Sequence, residues 1–213
     1  MNLSEKFNWN LVSRFRSEIM GVAIILVLIC HTDSFFNWNM ATDIFRVFAV
    51  GVDIFLFVSG IGLYFSMKKN GDVLYFYKKR FLRIVPEFLI ISVISYAILD
   101  FISSETIQPF WGDLPQFLLK ISGIRAAFIC ESGENGMLWY VIFIILMYLF
   151  YPVLFSFEKL NDKTRKILFS FVIVFPIIAE LFIAVFIPEI LKKYEIDRMI
   201  TRIPIFALGA YMV

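Results

Sequence analysis

Five apolar segments, each long enough to cross a lipid bilayer as a helix, constrain the fold of this chain more than any other feature. A transmembrane helix needs roughly 20 apolar residues to span a hydrocarbon core of about 30 Å. Hydrophobic residues make up 60% of the chain and lie in these long blocks. The sequence therefore predicts an all-α, polytopic membrane helix bundle. The five predicted spans are Ile19–Phe36, Ile44–Phe65, Ile84–Ile102, Met137–Phe155 and Ile167–Ile187.

A sixth apolar segment begins at Ile203 or Pro204 and continues to the last residue, Val213. It is only half as long as a bilayer-crossing helix, so either the protein is truncated or this segment enters the bilayer only part-way. We favour the start of a sixth span in a truncated protein. The sequence contains no internal repeat and no low-complexity linker. We therefore predict a single membrane domain over residues 1–213.

Lysine and arginine are concentrated in alternate connections between the predicted spans. The connection between spans two and three and the one between spans four and five are both strongly basic. Since short basic connections stay on the cytoplasmic side, we predict a multi-pass protein of the cell membrane with a cytoplasmic amino terminus. The connection 188–202, placed outside by this alternation, fits least well because it is also basic. Its basic residues are Lys192, Lys193, Arg198 and Arg202.

The first predicted span contains the only histidine of the chain, His31. The predicted orientation places it toward the outer leaflet. An ionisable side chain within a membrane span is costly and by default faces the protein interior and marks a functional path. The alternative is a neutral histidine near the outer interface, hydrogen-bonded to a neighbouring helix or to water. The residues alone leave both interpretations open.

The second predicted span carries a carboxylate, Asp53, close to its predicted outer end. This residue is either part of a polar path or a helix-end residue that lies in water or pairs with Arg46. Three glycines of the same span, Gly51, Gly60 and Gly62, allow neighbouring backbones to approach closely.

Two arginines, Arg80 and Arg83, lie in the basic segment that precedes the third span. If this segment is helical they are one turn apart and point in a similar direction. Paired arginines bind phosphates through bidentate hydrogen bonds, which predicts a cytoplasmic phosphate site. Anchoring to anionic lipid head groups is the alternative. Pro86 is predicted to open the third helix, because the first turn does not need its missing N–H.

Other chemistry has little support in the sequence. Trp139 and Tyr140 fall where an interfacial aromatic belt is expected, so no function follows from them alone. The two cysteines, Cys30 and Cys130, are too dispersed for a disulfide framework or a metal site. The sequence shows no metal-ligand cluster, glycine-rich phosphate loop or serine-hydrolase motif, and we predict no metal cofactor.

Taken in order, five stretches resemble the membrane-bound acyltransferase type 3 family. They are EIMGVAIILVLICH, GVDIFLFVSGIGLYF, YKKRFLRIVPEF, LWYVIFIILMYLFYP and FALGAYM. Each is mostly apolar and unspecific, whereas all five in this order and spacing form a specific pattern. The resemblance implies about ten membrane helices in the whole protein, and so about four beyond the sixth segment.

The resemblance also implies the reaction and its residues. Family members transfer an acyl group, usually acetyl, from cytoplasmic acyl-coenzyme A to a hydroxyl of a carbohydrate at or beyond the outer face. His31 takes the position of the catalytic histidine, and Arg80 and Arg83 that of the basic pair on the coenzyme A side. Trp139 and Tyr148 take the positions of the fourth-helix tryptophan and tyrosine. The expected partners are a carbohydrate acceptor and membrane lipids, not nucleic acid.

The chain departs from the family pattern at two positions. Many members have an arginine eleven residues before the histidine, where this chain has Met20. Arg16, one turn earlier, replaces it only if its side chain extends up the helix, against the usual lean toward the amino terminus. Many members also have a glutamate five residues after the tryptophan, where this chain has Ile144.

We therefore predict an O-acyltransferase that uses acyl-coenzyme A, with acetyl-coenzyme A the expected donor, and His31 as general base or transient acyl carrier. The supporting residues are Asp53, Trp139, Tyr148 and Arg16. The competing hypothesis is a non-enzymatic transporter or membrane scaffold, with His31 and Asp53 as a proton relay or as packing contacts.

Overall fold

The computed structural model describes residues 9–32, 47–103, 139–189 and 197–212, together with positions 115, 118 and 122. Every regular element within these ranges is a helix, which confirms the predicted all-α class. In chain order they are α1 (Trp9–Arg14), α2 (Arg16–Thr32), α3 (Val50–Asn70), α4 (Val73–Ser103), α5 (Trp139–Ser156), a 3₁₀ helix (Phe157–Lys159), α6 (Asp162–Phe186), α7 (Asp197–Ile200) and α8 (Ile203–Tyr211).

Each predicted span is helical over its described residues except Phe48, Ala49 and Ile187. Among those residues, three helices are long and apolar enough to cross a membrane by length and composition: Val50–Asn70, Trp139–Lys159 and Asp162–Phe186. Helix α8 begins at Ile203, as predicted for the sixth segment, with a proline in its first turn. The chain is therefore an all-α membrane protein.

The start of the third span was predicted wrongly. Helix α4 begins at Val73, and Pro86 lies inside it. The Oδ1 atom of Asp72 accepts hydrogen bonds from the backbone N–H groups of Leu74 (2.8 Å) and Tyr75 (3.3 Å), so an Asp cap fixes the helix start. The segment that carries Arg80 is consequently helical before the apolar run begins.

The chain divides into two compact units. Unit 1 consists of Met1–Asn70, Val153–Ile177 and Thr201–Val213, and unit 2 of Gly71–Pro152 and Ile178–Ile200. Helices α5 and α6 each contribute to both units.

Helix α3 is the centre of unit 1, where it packs against α1, α2 and α8. Its glycines allow close approach to two of these helices. A Cβ added at Gly51 would lie 2.6 Å from the carbonyl oxygen of Ala23 in α2. A Cβ added at Gly60 would lie 2.5 Å from the carbonyl oxygen of Phe206 and 2.8 Å from the backbone nitrogen of Ala210, both in α8. The predicted backbone approach at these two glycines is confirmed.

The contacts of α3 also give the relative direction of the helices in unit 1. Residues near the start of α2 lie beside the later half of α3, and residues near the end of α2 lie beside its start, so these helices are antiparallel. The first turn of α3 pairs with the start of α8, and its middle lies beside the later part of α8, so these two are parallel. This is the alternation expected for spans one, two and six.

The later half of α3, the end of α8 and the start of α6 meet at one end of unit 1. Tyr64 in α3 donates a hydrogen bond from its hydroxyl to Glu158 Oε2 (3.2 Å). The guanidinium carbon of Arg165 in α6 lies 5.9 Å from the ring centroid of Tyr211 in α8. These are the ends that the charge distribution predicts to be cytoplasmic.

Unit 2 is built on the contact between α4 and α5. The ring of Phe76 in α4 stacks on that of Tyr151 in α5, with centroids 5.8 Å apart and an interplanar angle of 26°. The hydroxyl of Tyr77 donates a hydrogen bond to the carbonyl oxygen of Leu149 (2.9 Å). Side chains four or eight residues apart form the buried stripe of α4, namely Phe76, Arg80, Phe88 and Ser92.

We expect Gly60→Ala to destabilise unit 1, because its Cβ would collide with the backbone of α8 rather than with a movable side chain. Overpacking of this kind typically lowers the free energy of unfolding by about 1–3 kcal/mol. Gly21→Ala in α2 is the matched control, since its Cβ would meet nothing within 4 Å. The thermal unfolding midpoint in detergent should fall for the first variant only; equal midpoints would contradict the glycine contact.

Candidate functional site

Arg80 is buried within unit 2, although it belongs to a segment rich in exposed lysines. Its side chain is 6% exposed. The guanidinium carbon lies 5.7 Å from the ring centroid of Phe76 and 5.8 Å from that of Tyr148. Aromatic faces attract a guanidinium at such distances, and the attraction strengthens where water is excluded. The two helices α4 and α5 therefore hold a cation between aromatic rings.

This arrangement brings together two residues that the family resemblance selected separately, Arg80 and Tyr148. Tyr148 is itself buried, at 7% exposure. Trp139, at the start of α5, is half-buried and packs against Phe143, with ring centroids 6.4 Å apart. Ile144, which stands where many family members have a glutamate, is buried at 4% exposure one turn before Tyr148.

The neighbouring basic residues of α4 differ from Arg80. Arg83, Lys78 and Lys79 are all exposed. A buried guanidinium does not reach lipid head groups, so its position disfavours lipid anchoring for Arg80. For Arg83 both hypotheses remain compatible with its exposure.

His31 occupies the last turn of α2, within unit 1. Its side chain is exposed, on the same helix face as the exposed Ile24 and Leu28. This face lies away from Ala23, which is fully buried against α3. The imidazole is therefore presented outward from the α2–α3 contact.

Arg16, in the first turn of α2, reaches across to α3. A Cβ added at Gly62 would lie 2.5 Å from Arg16 Nη1 and 2.6 Å from Arg16 Cζ. The guanidinium group thus occupies the space that a larger residue would take. Along α2 it lies fifteen residues from His31, or about 22 Å at 1.5 Å per residue.

Asp53 pairs with a residue that its sequence interpretation did not include. The carboxylate oxygen Oδ1 lies 3.2 Å from Nε of Arg202, which directly precedes α8. The two side chains are 30% and 18% exposed, respectively. The suggested partner, Arg46, lies outside the described residues. This ion pair joins the start of α3 to the start of α8.

The ion pair bears on the two open interpretations of Asp53. A carboxylate held by a guanidinium is a helix-to-helix contact, as the structural interpretation of Asp53 requires. It also accounts for a basic residue in the connection 188–202, because Arg202 is neutralised locally. The sequence signal for this pairing was Arg202 itself, because a basic residue is not expected in a connection predicted to lie outside.

Two further residues, Phe76 and Gly62, were not predicted from the sequence to belong to a site. Phe76 gave no signal beyond its apolar character. Gly62 had been assigned to backbone approach, whereas its neighbour is the Arg16 side chain. Within the described ranges, no three His, Cys, Asp or Glu side chains are grouped so that they could hold a metal ion.

The comparisons with known proteins agree with these motifs. The family model Acyl_transf_3, described as an acyltransferase domain, matches residues 21–213. The chain belongs to this acyltransferase family. No curated protein and no solved structure matches it. Membership makes the chain a membrane acyltransferase, and it disfavours the transporter or scaffold hypothesis.

We expect the Asp53–Arg202 pair to show a coupling energy in a double-mutant cycle with Asp53→Asn and Arg202→Gln. Each single variant leaves one charge without its partner in a partly buried environment. The destabilisation of the double variant should therefore be smaller than the sum of the destabilisations of the two single variants. The coupling should be about 0.5–3 kcal/mol, measured by unfolding in detergent.

The control for this cycle is the exposed pair Asp162–Lys166, whose atoms are 2.8 Å apart and whose side chains are 60–61% exposed. A pair of this kind contributes about 0–1 kcal/mol. A coupling for Asp53–Arg202 no larger than that of the control would show that the ion pair does not hold α8 to α3.

Proposed function

We propose that this acyltransferase moves an acyl group, with acetyl as the expected one, from cytoplasmic acyl-coenzyme A to a hydroxyl of a cell-surface or exported carbohydrate. The family match over residues 21–213 supports transfer of an acyl group. The observation that carries the choice of donor is the burial of Arg80 between Phe76 and Tyr148. A guanidinium kept inside an apolar helix pair is suited to a ligand with phosphate groups.

His31 acts in this proposal as the general base. It takes the proton of the acceptor hydroxyl as the oxygen attacks the thioester carbonyl carbon. The carbon–sulfur bond then breaks, and the coenzyme A thiolate takes the proton back from the imidazolium. The products are an O-acyl ester and a free thiol. Histidine suits this exchange because its ordinary pKa lies close to physiological pH.

A second course for the same residue is transient acyl transfer to the imidazole. The imidazole nitrogen attacks the thioester, the thiol leaves, and the acceptor hydroxyl then removes the acyl group. Both courses require that a reactant reaches the ring of His31, whose side chain is exposed at the end of α2. In either case the amino terminus faces the cytoplasm, as the basic connections predict.

We expect His31→Ala to reduce acyl transfer by roughly 10²–10⁴-fold, the usual contribution of a positioned base, while the protein still inserts into the membrane. Leu28→Ala is the matched control, because Leu28 is exposed on the same face of α2 one turn earlier. The measurement is thiol release from acetyl-coenzyme A by membranes of producing cells, together with acetate analysis of their surface carbohydrate. Wild-type transfer by His31→Ala would show that the imidazole is not the base.

Replacement of Arg80 and Arg83 by alanine should weaken acyl-coenzyme A binding in a calorimetric titration of the protein in nanodiscs. Loss of one hydrogen bond to a charged group raises Kd by roughly 10- to 100-fold. The double variant Lys78→Ala/Lys79→Ala, which removes two exposed charges from the same helix, should bind normally. Equal binding by both double variants would show that neither arginine binds the donor, which would leave Arg80 a packing residue and Arg83 a lipid anchor. Arg83→Ala alone, at an exposed position, tests the pair without disturbing the buried site.

A further inference from the structure

Tyr151 is the largest of the completely buried side chains in the part of the chain that the structure describes. It lies in the last two turns of α5, and its ring stacks on that of Phe76 in the first turn of α4. The two ring centroids are 5.8 Å apart and the ring planes are inclined by 26°. Phe76 is itself almost completely buried. Each ring therefore limits the movement of the other.

Phe76 connects Tyr151 to the buried arginine of unit 2. The guanidinium carbon of Arg80 lies 5.7 Å from the ring centroid of Phe76 and 5.8 Å from that of Tyr148. Residues three or four apart are neighbours on one helix face, so each helix contributes two adjacent side chains. All four residues belong to unit 2. They form one series of contacts, from Tyr151 through Phe76 and Arg80 to Tyr148.

The order of these contacts shows where on the two helices the aromatic group lies. Phe76 contacts Tyr151, whereas Arg80, one turn later in α4, contacts Tyr148, three residues earlier in α5. The two helices are therefore antiparallel here, and the group lies at the start of α4 and toward the end of α5. The charge distribution predicts that these two ends are on the cytoplasmic side, where an acyl-coenzyme A donor is found.

The place of Phe76 gives a physical reason for support from α5. It lies in the first turn of α4, and helix ends fray more readily than helix interiors. A phenylalanine side chain has several staggered rotamers, and the attraction to Arg80 requires the one that places the ring beside the guanidinium. A flat ring at position 151 stacks on Phe76 and favours that rotamer. A branched aliphatic side chain would fill the same space without offering a flat surface.

We propose that Tyr151 is a positioning residue of the donor site, which keeps the Phe76 ring against the Arg80 guanidinium and so orients that guanidinium toward a phosphate group of acyl-coenzyme A. This inference rests on the proposed function, because it takes Arg80 as a residue that binds the donor. A planar guanidinium binds phosphate through bidentate hydrogen bonds, so its orientation matters as well as its charge. Tyr151 acts through Phe76 and touches no substrate.

The test is a kinetic comparison of variants at position 151 with the protein in nanodiscs. Tyr151→Leu removes the flat ring and should raise KM for acetyl-coenzyme A by roughly 3- to 10-fold, the usual contribution of an aromatic pair, with kcat nearly unchanged. Tyr151→Phe keeps the ring and should keep the wild-type KM. In the Arg80→Ala background, Tyr151→Leu should raise KM no further, because Tyr151 acts only through this guanidinium. Tyr151→Met, with a more adaptable side chain, replaces Tyr151→Leu should that variant not fold.

Tyr77→Phe is the matched control for packing between the same two helices. The hydroxyl of Tyr77 donates a hydrogen bond to the carbonyl oxygen of Leu149 (2.9 Å), outside the aromatic group. Its loss should lower the thermal unfolding midpoint and leave KM at the wild-type value. A rise in KM equal to that of Tyr151→Leu would show that KM responds to helix packing in general, and the inference would be wrong.

The remaining outcomes separate this inference from the proposed function. If the wild-type protein neither binds nor uses acyl-coenzyme A, both are wrong. If Arg80→Ala keeps the wild-type KM, Arg80 does not bind the donor, and the inference fails with that assignment. If Arg80→Ala raises KM and Tyr151→Leu does not, only the inference is wrong. Additive effects of Tyr151→Leu and Arg80→Ala on KM would also overturn it, because Tyr151 would then act by another route.

Discussion

Close backbone contact through glycine is the constraint on which unit 1 depends. Apolar side chains gain little by leaving lipid for another apolar surface, so membrane helices associate where backbones can approach. Gly60 admits the backbone of α8 and Gly51 that of α2, and α3 is buried along much of its length as a result. A methyl group at Gly60 would meet a carbonyl oxygen of α8, so side-chain rotation could not relieve the contact.

Three arginines, two in unit 1 and one in unit 2, each lie in a different environment. Arg202 pairs with Asp53, and Arg80 lies between Phe76 and Tyr148. Arg16 lies over the backbone of Gly62. A charged side chain away from water needs an opposite charge, polarisable groups or a ligand beside it. The free-energy cost of burying an isolated charge is large. The Asp53 carboxylate makes Arg202 part of a contact between two helices, whereas Arg80 is proposed to bind the donor.

The proposed reaction assigns two kinds of work to two different helices. Transfer of the acyl group needs a residue that binds the polar part of the donor and a base that meets the acceptor. Arg80 within α4 is proposed for the first, and His31 in the last turn of α2 for the second. Both residues belong to helices, so neither depends on a flexible loop for its place along its own helix axis.

The sequence by itself determined the helical class, the approximate spans, their alternation and the start of α8, because apolar length and charge distribution act locally. It also selected His31, Arg80 and Tyr148 through the order of five motifs, although their roles in the reaction remain proposals. Tertiary structure decided which residues meet: Asp53 with Arg202, Arg80 with Tyr148, and Gly62 with Arg16. It also placed the start of α4 at Val73, where the Asp72 cap rather than Pro86 begins the helix. Contacts between helices depend on the rotation and crossing of whole helices, and residue spacing within one helix does not contain that information.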